Sequence, residues 1–308
     1  MTDITDKSVQ GVTLISASVF AMAFADAIVK LISDDLTLWQ VFLGRSIFSI
    51  VILVVVARFI GTKLRVVSRF WVLVRTGCLI CMWLFYYGSF PVLSLSVAAV
   101  AMYTFPIMTA LFATLIFGEP ASKRQWLGIV IGFVGVVVIL RPGSDAFSWF
   151  ALLPVAGAAF LAMAMLLTRT KCRQESPLVL SLVLAIAFLI AGVGGNVVLS
   201  SLPLADETRA AFPFLLNGWR AMSAYEWRLL ALIGVMSTAI FAGIARAYQI
   251  APPAIVATFD YIYLVSAAIW GFVFFAEKPG ALTLSGMALI IFAGILAAMP
   301  TAKPRQID

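Results

Sequence analysis

The chain lacks histidine entirely, and it has few charged residues and few cysteines for its 308 residues. Without imidazole groups, histidine-ligated metal centres and histidine acid–base catalysis are excluded. Charged residues make up only 11% of the chain, whereas a soluble globular protein has roughly 25%. Cys78 and Cys81 form a C-x-x-C pattern, but they lie in an apolar run where thiols pack as small hydrophobes. The composition therefore argues against a soluble protein, a bound metal and a redox cofactor.

Apolar sequence is what the chain has in abundance. Hydrophobic residues make up 63% of it, and the mean hydropathy is +1.08. A helix that crosses a lipid bilayer needs about 20 apolar residues. We therefore predict an all-α integral membrane protein with ten transmembrane helices, at 11–32, 38–58, 70–90, 94–117, 123–140, 149–168, 178–200, 228–248, 253–275 and 281–299.

The net charge of +7 does not form a basic patch, so no nucleic-acid partner is expected. Lysine and arginine instead concentrate in alternate connections between the predicted helices. If the N-terminus lies inside, the inner segments hold twelve of these residues and the outer segments hold five. Because cytoplasmic loops carry the excess of positive charge, this bias predicts an inner-membrane protein with both termini in the cytoplasm.

The two halves of the chain resemble each other at a constant offset of 158 residues. Residues 106–128 align with 264–286, and residues 89–99 align with 247–257. Membrane segments also resemble each other through composition alone, but a spacing that stays fixed through a loop favours a true repeat. Five helices are an odd number, so the second set must cross the membrane in the opposite sense. We predict two inverted five-helix repeats, at 11–140 and 149–299, which is an architecture of alternating-access transporters.

Three charged residues lie inside the first two predicted helices, where each costs about 2.5–3.5 kcal/mol at a helix centre. Asp26 and Lys30 are one helical turn apart and so can pair. Arg45 lies at nearly the same depth on the next, antiparallel helix. The three could form a cluster of net charge +1 that binds an anionic substrate group or guards an outer gate. The alternative is a static link between the two helices.

Arg246 and Asp260 lie at matching depth on the two sides of a proline-containing hinge in the second half of the chain. This placement predicts an ion pair near the cytoplasmic side. The pair would be a gate or ligand contact if it breaks during transport, and a structural pin if it does not. Asp260 is also our candidate for proton coupling.

Aromatic residues and glycines supply the remaining candidates. We predict that Tyr86, Tyr103, Tyr261 and Trp270 help to form a cavity for an organic ligand, with simple packing as the alternative. The fifth predicted helix carries the glycines 128, 132 and 135, which allow close helix packing. That packing could occur within the chain or in a homodimer.

Several stretches resemble the ten-helix, EamA-type members of the drug/metabolite transporter superfamily. They are FADAIVK (24–30), TFPIMTALFATLIFGE (104–119), GIVIGFVGVVVIL (128–140) and ARAYQIAPPAIVATFDYIYLVSAAIWGFVFFAE (245–277). The resemblance implies a secondary transporter with a central cavity lined by helices of both repeats. It also implies that the fifth and tenth helices are peripheral.

Taken together, these features predict a secondary active transporter and not an enzyme. The expected substrate is a small polar or zwitterionic metabolite, such as an amino acid or a nucleotide-like cofactor of the S-adenosylmethionine type. Transport of riboflavin or of an organic cation or drug is the main alternative. A receptor without transport activity or an intramembrane enzyme is the less favoured one.

Overall fold

A computed structural model describes residues 2–61, 64–116, 118, 123–140, 148–250 and 259–298 of the chain. Within these ranges the protein is helical and contains no strand. The first six helices are α1 (Thr2–Leu31), α2 (Leu38–Ile60), α3 (Arg69–Gly88), α4 (Leu95–Met102), α5 (Phe105–Leu115) and α6 (Lys123–Leu140). The other seven are α7 (Leu152–Thr170), α8 (Pro177–Ser201), α9 (Asp206–Ala211), α10 (Pro213–Leu216), α11 (Ala224–Ile250), α12 (Ile262–Phe275) and α13 (Ala281–Ala298).

Seven segments of the described chain are long and apolar enough to cross a membrane. They correspond to α1, α2, α3, the α4–α5 pair, α7, α8 and α11. Three shorter apolar helices occupy Trp126–Ile139, Ile262–Phe275 and Ala281–Ala293. The described part of the chain is therefore all-helical, and its long apolar helices are those of a multi-pass membrane protein.

The long helices pack side by side in a small number of extensive pairs. The pairs are α6 with α13, α2 with α8, α1 with α11, α3 with α7, α1 with α12, and α5 with α7. In addition, α11 packs along α2, and α4 packs against α12. The first and second halves of the chain thus interleave and do not form separate bundles.

Local sequence accounts for the points at which helices begin and break. Thr37 and Gln40 form a capping box at the start of α2, and Gly61 ends the helix with φ of 71°. The predicted helix 94–117 is broken into α4 and α5 at Tyr103 and Thr104, with a proline in the first turn of α5. The proline lacks the amide hydrogen that would continue the helical hydrogen bonding, which accounts for the interruption.

The segment between α8 and α11 forms the short helices α9 and α10 and lies against the start of α2. Trp39 Nε1 donates to the Leu215 carbonyl oxygen over 2.8 Å, and Gln40 Nε2 donates to the Arg220 carbonyl oxygen over 2.8 Å. Arg220 also forms an ion pair with Glu226 at the start of α11. The segment is thus attached at both α2 and α11.

Glycines of α6 contact α13 within the chain. A methyl group added at Gly135 would lie 3.2 Å from the Gly286 carbonyl oxygen, and one added at Gly286 would lie 3.0 Å from the Gly135 carbonyl oxygen. Gly132 faces Ala293 of α13 and also Ile107 of α5. These glycines therefore serve intramolecular helix packing, and they do not argue for a homodimer.

Candidate functional site

The polar centre of the molecule is built around the carboxylate of Asp26 in α1, which is only 2% exposed. Its Oδ1 accepts a 3.0 Å hydrogen bond from the Tyr87 hydroxyl of α3, and its Oδ2 accepts a 2.5 Å bond from the Tyr263 hydroxyl of α12. The Tyr263 hydroxyl also lies 2.6 Å from the Tyr86 hydroxyl. Because Tyr263 donates its proton to Asp26, Tyr86 is the donor in that contact. One buried carboxylate therefore joins three helices from distant parts of the sequence.

Arg45 of α2 reaches the same network through Tyr87. Its Nη1 donates to the Tyr87 hydroxyl over 3.1 Å, and its side chain is 6% exposed. Among the ion pairs that the described residues form within 4.0 Å, none joins Arg45 to Asp26. The guanidinium carbon instead lies 4.0–5.6 Å from the ring centroids of Phe42, Trp83, Tyr87 and Phe188. Arg45 is thus a buried cation surrounded mainly by aromatic faces.

Two small cavities adjoin Arg45. One of about 20 Å³ lies beside Asp26 and Tyr87, and Ser237 of α11 forms part of its wall. The second, of about 30 Å³, runs between α2, α8 and α11 and shares Arg45 and Ser237 with the first. Each cavity exceeds the roughly 10–15 Å³ that a single water molecule requires. The two charged groups are therefore enclosed, with small cavities of mixed polar and apolar lining beside them.

Lys30 does not join Asp26 and Arg45, so the predicted three-residue cluster is wrong in this respect. Its Nζ lies 2.7 Å from Glu277 Oε1 at the end of α12 and donates to the Leu93 carbonyl oxygen over 2.6 Å. Glu277 Oε2 accepts from the Leu95 amide at the start of α4 over 2.8 Å. Asp26 and Lys30 share a helix face in sequence, but the partner that neutralises Lys30 comes from another helix. The Lys30–Glu277 pair links α1, α4 and α12.

We expect Lys30→Met and Glu277→Gln each to lower the free energy of unfolding by about 1–3 kcal/mol. The side chains of the pair are only 14% and 17% exposed, so water replaces the lost partner poorly. Combining the two substitutions should cost less than the sum of the single effects. Thermal unfolding in detergent provides the measurement, and Lys278→Met, at an exposed neighbouring lysine, is the control. Additive losses would show that the two side chains do not stabilise each other.

The predicted ion pair between Arg246 and Asp260 is absent from the ion pairs of the described residues. The Arg246 side chain is exposed. The Tyr103 hydroxyl instead donates to Asp260, at 3.0 Å from the Asp260 carbonyl oxygen and 3.4 Å from the Asp260 Oδ2. Equal depth along two helices does not ensure that their side chains point towards each other, and this is why the predicted pairing is wrong.

The predicted aromatic residues divide into two groups. Tyr103 stacks on Tyr263 at 5.1 Å and lies 5.7 Å from Tyr261, so these rings continue directly from the Asp26 network. Trp270 lies elsewhere, on the side of α12 that faces α1. Its ring centroid is 5.1 Å from that of Phe20 and 4.7 Å from that of Phe24. The surroundings of Trp270 are those of a packing residue and not of a cavity wall.

Three residues of the centre were not among the predicted site residues. Tyr87 and Tyr263 hold Asp26, and Glu277 neutralises Lys30. The sequence offers a weak signal for Tyr87, since it lies one helical turn after Trp83 and therefore on the same face. No comparable signal marks Tyr263 as the partner of a carboxylate 237 positions away.

The chain thus combines a multi-pass helical fold with a polar centre that several helices enclose. The EamA-like transporter family matches residues 9–141. Relatives align over nearly the whole chain, two of them at 26% identity.

Three curated relatives differ in the metabolite that their names give. The S-adenosylmethionine uptake transporter of Rickettsia prowazekii is 26% identical over 293 residues, covering 94% of this chain and 93% of the relative. The pseudopaline exporter CntI of Pseudomonas aeruginosa is 26% identical, covering 95% and 97%. The riboflavin transporter of Rhizobium johnstonii is 27% identical over 192 residues, covering 62% and 58%. All three relatives are named as transporters of organic metabolites.

The fold is also similar to that of a solved crystal structure. The two chains superpose with a TM-score of 0.58 at 16% sequence identity, and the match covers 96% of each chain. At this level of identity the likeness concerns the fold alone.

Proposed function

We propose that this protein is a secondary active transporter that moves a small polar or zwitterionic metabolite across the inner membrane by alternating access. The observation that carries the proposal is the hydrogen-bonded centre of Asp26, Tyr87, Tyr263 and Arg45. It brings one buried carboxylate and one buried guanidinium to a place where helices of both halves of the chain meet. Ionisable groups at membrane depth are costly and are characteristic of substrate or ion pathways.

Alternating access requires two units that can rock against each other, and we propose that these are inverted five-helix repeats at 11–140 and 149–299. The helix packing supports this division. Equivalent pairs occur on both sides of the proposed two-fold axis: α1 packs with α11 and α3 packs with α7, while α2–α8 and α6–α13 are pairs of equivalent helices. The family match over residues 9–141 coincides with the first proposed repeat.

Two helix interruptions give further support to the repeat. The break between α4 and α5 lies at Tyr103, and a second break lies at Tyr261, which is the equivalent position at an offset of 158. Their rings are 5.7 Å apart. Interrupted helices that meet near the middle of the membrane are typical of the substrate sites of inverted-repeat transporters. The equivalent of Glu277, Glu119, lies outside the described residues.

The ten spans in this proposal are the seven long apolar segments together with the three shorter apolar helices. The excess of lysine and arginine in the inner segments supports cytoplasmic termini. The bacterial relatives support the inner membrane as the location.

The substrate class follows from the charges at the centre. A carboxylate and a guanidinium separated by one tyrosine suit a molecule that carries both signs of charge, such as an amino acid or S-adenosylmethionine. Riboflavin or an organic cation is the alternative, and the aromatic rings around Arg45 and Tyr103 favour it. Both alternatives keep the same transport mechanism.

The proposal is tested with purified protein and a panel of amino acids, S-adenosylmethionine, riboflavin, polyamines and organic acids. Ligands that bind the folded state raise its unfolding temperature, so a thermal-shift screen selects candidates. Labelled candidates are then followed into proteoliposomes. Uptake above that of protein-free liposomes supports transport. Binding without flux would favour a receptor, and a chemically altered compound would favour an enzyme.

We expect Asp260→Asn to lower flux more than it lowers the yield of folded protein. Tyr103 donates to both the backbone and the side chain of Asp260, and the backbone bond survives the substitution. Flux per folded molecule, with yield measured by size-exclusion chromatography, separates the two effects. Equal losses of flux and yield would identify Asp260 as a structural residue without a transport role.

A further inference from the structure

We infer that Arg45 and the hydroxyl-lined groove between α2, α8 and α11 form a subsite for a single carboxylate group of the ligand. This inference rests on the proposed function, because it identifies which part of the substrate the buried cation holds. The groove is the larger of the two cavities beside Arg45, and Asp26 is not among the residues that line it.

The groove leads away from Arg45 along one direction of all three helices. On α2 its wall continues from Arg45 to Ser49 and Leu53, each one helical turn further on. Ser181 contributes from the beginning of α8, and Thr238 contributes from α11. The groove therefore points towards the end of the molecule where α2 finishes and α8 begins. Under the proposed topology, this is the cytoplasmic side.

Tight helix contacts hold α8 and α11 against α2 on either side of Arg45. A methyl group on Gly234 of α11 would lie 2.6 Å from the Arg45 carbonyl oxygen. One on Gly192 of α8 would lie 2.7 Å from both the Leu43 amide nitrogen and the Trp39 carbonyl oxygen. The Gly192 contact therefore closes the space between α8 and the first half of α2, whereas the Gly234 contact lies level with Arg45 and Ser49 and forms one edge of the groove.

The guanidinium has hydrogen-bonding capacity to spare at this position. Only Nη1 has an acceptor, the Tyr87 hydroxyl. Within the described chain, Nε and Nη2 of Arg45 have no hydrogen-bond acceptor. Both atoms keep some accessible surface, since neither is among the described side-chain nitrogens that are fully buried without a partner. An arginine fork presents its donors in the geometry that matches the two oxygens of a carboxylate. A ligand carboxylate would supply the direct counter-ion that Asp26 does not.

The charge and the hydroxyl groups favour a monoanion. Arg45 is the one charged side chain among the described residues that line the groove. A single buried cation balances a carboxylate but leaves a phosphate dianion with uncompensated charge, which is costly at this depth. The hydroxyls of Ser49, Ser237 and Thr238 donate to backbone carbonyl oxygens of α11. Because hydroxyl protons can rotate, these groups can turn towards an incoming anion.

The experiment uses the smallest probe of this chemistry, so that it does not depend on knowing the substrate. Purified full-length protein is unfolded thermally in sodium acetate, sodium chloride or sodium phosphate at equal ionic strength. We expect acetate to raise the unfolding midpoint by about 2 °C above the value in chloride. In Arg45→Gln the acetate shift should disappear, whereas Lys30→Gln, which removes another largely buried cation, should keep it.

Ser237→Val provides a second variant that leaves Arg45 in place and narrows the groove, and it should at least halve the acetate shift. No acetate shift in the unmodified protein, or an unchanged shift in a folded Arg45 or Ser237 variant, would overturn the inference. Phosphate also stabilises folded proteins without binding to them. A larger shift with phosphate than with acetate, counting only the part that Arg45→Gln abolishes, would therefore overturn the assignment to a carboxylate. An acetate shift without flux of any metabolite would contradict the proposed transport and leave the anion subsite intact.

Discussion

Asp26→Asn should reduce transport at least tenfold while leaving the amount of folded protein within about twofold of the unmodified level. The carboxylate accepts hydrogen bonds from Tyr87 and Tyr263 at the same time. An asparagine has only one acceptor oxygen, so it can accept from one of the two tyrosine hydroxyls. Its NH2 group would face the other hydroxyl, and two donors would then oppose each other. Each bond to a charged group contributes about 1.5–3 kcal/mol, and 1.4 kcal/mol corresponds to a factor of ten. Folding is affected less, since the substitution also removes a buried charge.

The measurement is initial flux into proteoliposomes, normalised to reconstituted protein, with the substrate that the thermal-shift screen identifies. Asp35→Asn is the matched control, because the Asp35 carboxylate is 70% exposed and lies 3.9 Å from Arg220 at the molecular surface. The control should transport at close to the unmodified rate. If Asp26→Asn transports normally, or if its yield falls in step with its flux, the Asp26 network is only a structural link between helices.

Gly192→Ala should destabilise the protein by about 1–3 kcal/mol, which is a loss of several degrees in the unfolding midpoint. The added methyl group would lie 2.7 Å from two backbone atoms of α2, at Trp39 and Leu43. Backbone cannot move aside as a flexible side-chain end can. The α2–α8 contact must therefore open, and with it the wall of the groove beside Arg45. Thermal unfolding in detergent measures the effect.

Gly194→Ala is the control on the same helix. A methyl group there meets no atom within 4 Å, so the substitution brings the higher helix propensity of alanine without any clash. Its unfolding midpoint should equal or exceed that of the unmodified protein. Equal effects at the two glycines would contradict the close α2–α8 contact.

The helical spans followed closely from the sequence because a bilayer fixes their length and composition. The predicted helix 178–200 is α8 at Pro177–Ser201, and the predicted helix 38–58 is α2 at Leu38–Ile60. The interruption near residue 103 was signalled by the proline that follows it. These features depend on runs of residues along the chain and not on contacts with other helices.

The polar centre around Asp26 was only partly predictable, because it depends on contacts between helices. The constant rise of a helix placed Asp26 and Arg45 at equal depth, and the structure brings them together through Tyr87. Lys30 was predicted to join the same cluster because it shares a helix face with Asp26. In the structure it forms an ion pair with Glu277, 247 positions away. Which helix lies opposite a given face depends on tertiary packing, and one sequence does not contain that information in readable form.

Access to Ser237 from the two sides of the membrane tests alternating access most directly, since Ser237 lines both cavities beside Arg45. Ser237→Cys is made in a chain whose three native cysteines are replaced by serine, and it is reconstituted in one orientation. A membrane-impermeant maleimide is then applied inside or outside the vesicles. We expect labelling from either side, and slower labelling when substrate is bound. Labelling from one side under every condition would contradict transport by alternating access.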